Sequence, residues 1–357
     1  MENIELIQPH TVRIYGLDKL EGVVETIPAK FLLHPLRLDL YAKLFYIRYR
    51  KERPDVAEKV YIDHIKAFNP DGKEPGRDDK NGFEDFLNTF DALIDCFNQN
   101  NFDAEKSIVP VGKGNVILDG SHRVAALAFF NRDVTICRYD VESKAMFDYH
   151  YFLNRGLPFS TADLATIEML RWHQDARVAC LWPKIGNGNQ KQLAENVIKS
   201  NFPICYARDV SVTLQSLIKL VIAIYRNQDW VGTSENGYAG ASDKAYNCFS
   251  HNRKVRFVFF VSNSNSKTLE VKEKIREMYP YGKHSVHISD NVVETQEIAR
   301  IVFSEEGRIE WQGRGSISNI LGAVSDCFHE RVIYFQKVIW INMKVWIYQH
   351  FIKINNR

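Results

Sequence analysis

The spacing of apolar residues changes several times along the chain, and each change marks a predicted element. Short apolar or alternating runs at 11–15, 21–27, 108–111, 116–118 and 134–139 read as strands. Between them, Phe31, Leu38, Tyr41 and Phe45, with Leu40, Leu44 and Ile47, give one broad apolar side. That side predicts a helix over 37–52, closed by Pro54. Arg37, Lys43, Arg48, Arg50 and Lys51 supply the other side and read as a solvated face. A further helix is predicted over 56–68, and residues 69–82, rich in Pro, Gly, Asp and Lys, read as an exposed loop. Phe86, Leu87, Phe90, Leu93, Ile94 and Phe97 keep a period near 3.6 and predict a core-facing helix over 83–98.

In the second half, helices are predicted over 147–156, 160–173, 190–200, 214–225, 269–278 and 293–303. Strands are predicted at 178–182, 204–209, 255–262 and 285–289. Strands alternating with helices argue for layered α/β architecture over an all-α bundle. The expected fold class is α/β (α+β), with a first domain over 1–160 that carries a helical insertion at 48–100. A second α/β domain is expected over 161–315 and a helical, aromatic tail over 316–357, where Trp340 and Trp346 are spaced to pack on the body.

Candidate chemistry concentrates in residues 107–140. Gly112, Lys113, Gly114 and Asn115 form a turn between two apolar runs, which reads as a hairpin. Asp119-Gly120-Ser121-His122-Arg123 follows, and from Ser121 the pattern turns helical, with Val124, Leu127 and Ala128 on one face. These five residues therefore sit where a strand hands over to a helix N-terminus. Backbone N–H groups without helical partners and the positive end of the helix dipole favour a phosphate or other anion there. Asp119 could bind Mg²⁺ or orient a hydroxyl, or it could cap the helix. His122 could stabilise charge on a transferred phosphoryl group or exchange a proton with it, or be a structural histidine. Arg123 could grip phosphate oxygens in a bidentate way, or be a surface cation. The Ser121 hydroxyl could touch phosphate or cap the turn.

The run Asp119-Gly120-Ser121-His122-Arg123-Val124-Ala125-Ala126 resembles the signature box of the ParB/sulfiredoxin superfamily. It is closest to the free-serine-kinase branch, whose box reads Asp-Gly, one variable residue, then His-Arg. The close likeness covers about 35 residues of the first domain. It departs from the Gly-Glu-Arg-Arg box of ParB and from the Gly-Gly-Cys-His-Arg box of sulfiredoxin. Ser121 stands where sulfiredoxin chemistry needs a thiol, which argues against that activity. The resemblance implies a nucleotide-phosphate site at Gly120, Ser121, His122 and Arg123, with catalytic roles for Asp119 and His122. It also implies Mg²⁺, held in part by Asp119, and a nucleoside di- or triphosphate. In the kinase branch a glutamate ahead of the first long helix serves as base for the acceptor hydroxyl. Glu21 and Glu25 lie in that region, and Glu25, nearer the strand end, is preferred.

A net charge of +2 offers no global electrostatic case for nucleic acid or anionic membrane as a partner. The six cysteines form no C-x-x-C pair, and several lie in apolar runs. Buried free thiols fit a reducing compartment, so a cytoplasmic location is expected. The first residues lack a signal-peptide core, and polar residues interrupt the aromatic tail, so no membrane span is expected. A second polar cluster, Lys283, His284, His287 and Asp290, could bind phosphate or serve a metal or proton-transfer role. Equally, it could be the polar face of a short strand. The glycine-bearing loop over 229–241 could fold over a ligand, but it lacks the Gly-Lys-Ser/Thr ending of a P-loop.

The leading expectation is a nucleotide-dependent phosphotransferase whose acceptor is a small hydroxyl compound such as an amino acid or sugar. Two alternatives stand beside it. One is a nucleotide-binding regulatory protein closer in use to ParB. The other is a nucleotidyl- or glycosyl-transferring second domain with an auxiliary first domain.

Overall fold

The computed structural model describes residues 4–74, 80–99 and 103–313. The chain opens with a helix, α1 (Pro9–Tyr15), where the run at 11–15 predicts a strand. Pro9 sits in the first turn and Gly16 closes the helix in the left-handed region, so start and stop signals outweigh the β-branched residues between them. Next come strand β1 (Gly22–Pro28) and helices α2 (Leu38–Tyr49), α3 (Pro54–Phe68) and α4 (Phe83–Gln99). Strand β2 (Val109–Val111), helix α5 (Ser121–Phe129) and strand β3 (Asp133–Tyr139) follow. β3 is the middle strand of a three-stranded sheet, antiparallel to β1 and parallel to β2. α5 is the crossover between the parallel pair, which sets Asp119 to Arg123 beyond the carboxyl end of β2. The expected hairpin partner at 116–118 is a single bridge between Val111 and Ile117. Gly114 and Asn115 both take positive φ in the intervening turn and bend the chain away from a longer ladder.

Helices α6 (Tyr149–Leu153) and α7 (Phe159–Trp172) lead to the second sheet. Its elements in order are β4 (Ala176–Leu181), α8 (Gly188–Lys199), β5 (Ile204–Ser211), α9 (Leu214–Ile224) and α10 (Ala239–Cys248). Then come β6 (Lys254–Val261), α11 (Asn265–Glu277), β7 (Val286–Ile288), α12 (Val292–Phe303) and α13 (Glu305–Gln312). The strand order is β5-β6-β4-β7 with every neighbouring pair antiparallel. β4–α8–β5 and β6–α11–β7 each skip one strand, so the sheet is two interleaved split β-α-β units. All six residues of the inner strand β4 are buried.

α2 is the axis of the first half. It packs against α3, α5 and α7, and ten of its residues are buried. α3 and α4 are integral to this packing, so the helical segment at 48–100 is a wall of the core and not an appendage. The two sheets lie on either side of the expected boundary at residue 160, but one apolar core runs from Ala29 to Trp311. α7, at that boundary, packs against both α2 and α12. Arg48 on α2 holds Glu168 on α7 at 2.7 Å, and Asp163 on α7 accepts from Tyr206 on β5 at 2.7 Å. Cys137, Cys180, Cys205 and Cys248 are buried free thiols. No helix among the described residues is long and apolar enough to cross a membrane. The tail at 316–357, with Trp340 and Trp346, lies outside the described residues.

Candidate functional site

Gly120 is the N-cap of α5, with φ at 89° in the left-handed region, and no side chain caps the first turn. Asp119 is therefore not a helix cap. Its carboxylate is reached instead by Arg123, one turn on, with Nη2 to Oδ2 at 3.4 Å. A Cβ at position 120 would lie 2.8 Å from Arg123 Nη2. Glycine is thus favoured there by the positive φ, and any larger residue would also push the guanidinium aside.

This turn opens on a cavity of about 790 Å³ whose lining includes all five box residues. Arg37, Asp39 and Lys43 from the start of α2, His64 from α3, and Lys80 line it as well. Phe86 and Phe90 on α4, with Phe68 and Phe147, supply apolar wall. Part of the predicted solvated face of α2 turns inward, for Arg37 and Lys43 are only 3% and 2% exposed, with Asp39 between them at 1%, while Arg48, Arg50 and Lys51 stay at least partly exposed. Arg37 donates from Nε and Nη2 to the two Asp39 oxygens at 2.8 and 2.9 Å, and from Nη1 to Ile117 O at 2.7 Å. Lys43 Nζ approaches the same carboxylate at 3.5 Å and His64 Nε2 at 3.2 Å. Lys80 is also buried, pairs with Glu74 and lies 4.7 Å from the Phe86 ring centre.

One buried carboxylate thus serves two buried cations. Burial pushes Asp39 up, but the charges of Arg37 and Lys43 outweigh it and hold the carboxyl well below its usual range. Burial also pushes Lys43 down, to about 8, with Asp39 opposing the shift, so the ammonium is charged at pH 7. His64 is held well below its ordinary value by burial and then by the Lys43 charge. As a neutral ring it accepts from Lys43 at Nε2, which assigns its proton to Nδ1, 3.3 Å from Tyr61 O.

His122 is half-buried and likewise neutral, lowered by burial and then by the charges of Lys43 and Lys80. It is therefore a neutral ring, able to act through a ring N–H or a ring lone pair and not as a fixed cation. Its Nε2 lies 2.9 Å from Tyr61 Oη, and that hydroxyl donates to Phe86 O at 3.2 Å. The tautomer in which the phenol proton goes to Phe86 O has Nε2–H donating to Tyr61 and leaves Nδ1 a lone pair that can accept a proton.

The structure does not bring Glu25 to the cavity lining. It stands on the edge strand β1 and pairs with Arg138 on β3 at 2.6 Å. The second polar cluster does not converge on one point either. His287 Nε2 is 2.8 Å from Glu294 on α12, its ring edge-on to Tyr225, while Asp290 is exposed beside Lys272. Lys283 and His284 lie on a short turn before β7 that packs on α10. Among the described residues no three His, Cys, Asp or Glu side chains come together as a metal site.

Sequence reasoning missed Arg37, Asp39, Lys43, His64 and Lys80. The available signal was Arg37-x-Asp39-x-x-x-Lys43, a charged trio at helical spacing among residues otherwise apolar. Comparison with protein-family models, with curated proteins and with solved structures returns no match, and the reading of the site rests on its own geometry.

Proposed function

We propose that the chain is a nucleotide-dependent phosphotransferase acting on a small hydroxyl compound, with the cavity at the start of α5 as its phosphate site. One observation carries this reading: Arg37 and Lys43, both buried in the cavity wall, share the single carboxylate of Asp39 beside an uncapped helix N-terminus. A buried positive charge without full compensation is costly, and an anionic ligand offsets that cost. Arg123 adds a planar donor set and the phenylalanines add an apolar wall, which suits a base joined to phosphates.

In this reading Arg37, Lys43, Lys80 and Arg123 balance phosphate charge and hold the transferring group in line. The acceptor oxygen bonds to phosphorus as the bond to the leaving nucleotide breaks, and the acceptor proton passes to His122 Nδ1. Glu25, held by Arg138 away from the cavity, is replaced in that role. A Mg²⁺ bound by one carboxylate and by phosphate oxygens fits the partly exposed Asp119, and it would supply further charge neutralisation there.

A second reading is nucleotide binding without transfer, as in a regulatory protein. It is favoured by how the carboxylates near the box are engaged, Asp39 by its two cations, Asp119 by Arg123, Glu74 by Lys80 and Glu25 by Arg138. Titration with ATP, ADP and CTP in the presence of Mg²⁺, followed by turnover assays with amino acids and sugars, separates the two. Transfer is expected with at least one acceptor, and Arg123→Ala should weaken nucleotide binding by about tenfold or more. Binding without turnover supports the second reading, and no nucleotide binding at all overturns both.

A further inference from the structure

The end of β4 and the start of β7 lie side by side, with Trp182 N–H donating to Ser285 O at 3.0 Å. α10 packs on the turns flanking both, Pro183–Ile185 and Gly282–His284. This brings Lys184, Lys244, Lys283 and His284 to one corner of the second sheet. Lys244 Nζ donates to Lys283 O at 3.2 Å and lies 5.7 Å and 5.6 Å from the Trp182 and Tyr225 ring centres. Lys184 Nζ is 5.4 Å from the Tyr281 ring, and His284 Nδ1 is 3.8 Å from Cys248 Sγ.

Among the described residues, these lysines contact rings, a carbonyl and the Cys248 thiol, and none forms an ion pair with a carboxylate. Burial, and beyond it the charges of Lys283 and Arg276, hold half-buried Lys244 below the ordinary lysine range. His284 is lowered by burial and by the charges of Lys244 and Lys283. Two fully buried polar atoms at the same junction, Trp182 Nε1 and Ser285 Oγ, have no partner. The glycine-bearing loop reaches this corner too, with the Trp230 ring 5.0 Å from that of Tyr225.

We infer that this corner binds the phosphoryl group of a small ligand. The charges of Lys244, Lys283 and Lys184 all bear on His284, opposed by Asp243, and a compact dianion offsets the excess of positive charge at this corner. Lysines act on phosphate as point charges with several donors each, whereas one carboxylate would offer fewer oxygens and half the charge. The rings of Trp182 and Tyr225 fix the Lys244 ammonium by cation–π contact. The site shares no residue with the box cavity, so it stands or falls independently of the proposed phosphotransfer.

Pyridoxal 5′-phosphate tests it on the full chain. This probe carries a phosphoryl group, forms an imine with an uncharged lysine amine by loss of water, and is fixed by borohydride reduction. Peptide mapping should find Lys244 modified severalfold faster than exposed Lys267, because a bound phosphoryl group holds the aldehyde beside an amine that gives up its proton more readily than an ordinary lysine. Inorganic pyrophosphate should protect Lys244, and sodium chloride at equal ionic strength should not. In the doubly substituted Lys184→Gln, Lys283→Gln chain, which keeps Lys244 to report, protection by pyrophosphate should weaken about tenfold or more. Labelling of Lys244 no faster than of Lys267, protection equal in sodium chloride, or protection unchanged in the double variant would each overturn the proposal.

Discussion

Asp39 neutralises two cations at once, and it does so from a helix whose other residues read as core. Removing it leaves Arg37 and Lys43 buried and unpaired. Asp39→Ala is expected to destabilise the chain by about 3–5 kcal/mol, read as a fall in the urea midpoint at pH 7. A loss under about 1 kcal/mol would mean that the trio is hydrated and the cavity wall less charged than its geometry implies. Lys43 also sets a pH dependence for the ligand. Its charge is full below about 8 and is lost above, so phosphate affinity should be flat to pH 7.5 and fall as pH rises from 8 to 9. The fall reaches about tenfold per pH unit until the raised pKa of the liganded state is passed, and Lys43→Met should abolish it. The contrast in legibility at this scale is physical. Gly120, His122 and Arg123 are legible because a strand-to-helix turn carries its own punctuation. Arg37 and Lys43 are not, because a charged residue on an amphipathic helix looks the same whether it faces water or an internal cavity.

At the scale of elements, punctuation and period together placed most helices and strands within a few residues, including α2, α4, α9, β6 and the order β2–α5–β3. α1 was hidden because seven residues are too few for a helical period to show, and the shortened hairpin because two left-handed turn residues end the ladder. The antiparallel order of the second sheet was not legible either, since alternation of strand and helix looks the same for split and for adjacent β-α-β units. Histidines at the junctions of these elements give the fold an acid limit. His64 on α3 and His122 on α5 lie well below their ordinary value, His173 at the end of α7 is lowered, and His34 before α2 is lowered to about 4. In every case burial is the first cause. The unfolded chain takes up these protons near pH 6.5 while the folded chain does not, so stability is full above that pH and is lost as pH falls. Each histidine contributes up to about 1.4 kcal/mol per pH unit below 6.5, down to its folded value. Urea midpoints measured from pH 7.5 to 5 should therefore decline steeply below 6.5, with a shallower decline in His64→Gln. A flat profile to pH 5 would show that these rings are already protonated in the fold.

For the whole molecule, chain length allows two domains, and the described residues form two sheets, yet the core does not divide between them. α7 packs against α2, and its Asp163 and Glu168 hold Tyr206 and Arg48 on opposite sides of the junction. A chain ended at residue 160 keeps α2 but loses α7, which would uncover apolar side chains such as Leu40, Tyr41 and Leu44. Each such side chain is worth about 1.5–3 kcal/mol when buried. A few of them consume most of a net stability of about 5–15 kcal/mol. The segment 1–160 should accordingly lack a cooperative urea transition, and 1–173, which retains α7, should recover one in part. The intact chain should unfold in one transition seen alike by far-ultraviolet circular dichroism and tryptophan fluorescence. If 1–160 unfolds as cooperatively as the intact chain, the first half carries its own closed core and α7 is only a linker. The distinction bears on function, because a shared helix joins the wall of the box cavity to the sheet that holds the lysine corner. A ligand that tightens α2 against α7 would then be felt on β5 and α12, and a true linker would transmit nothing.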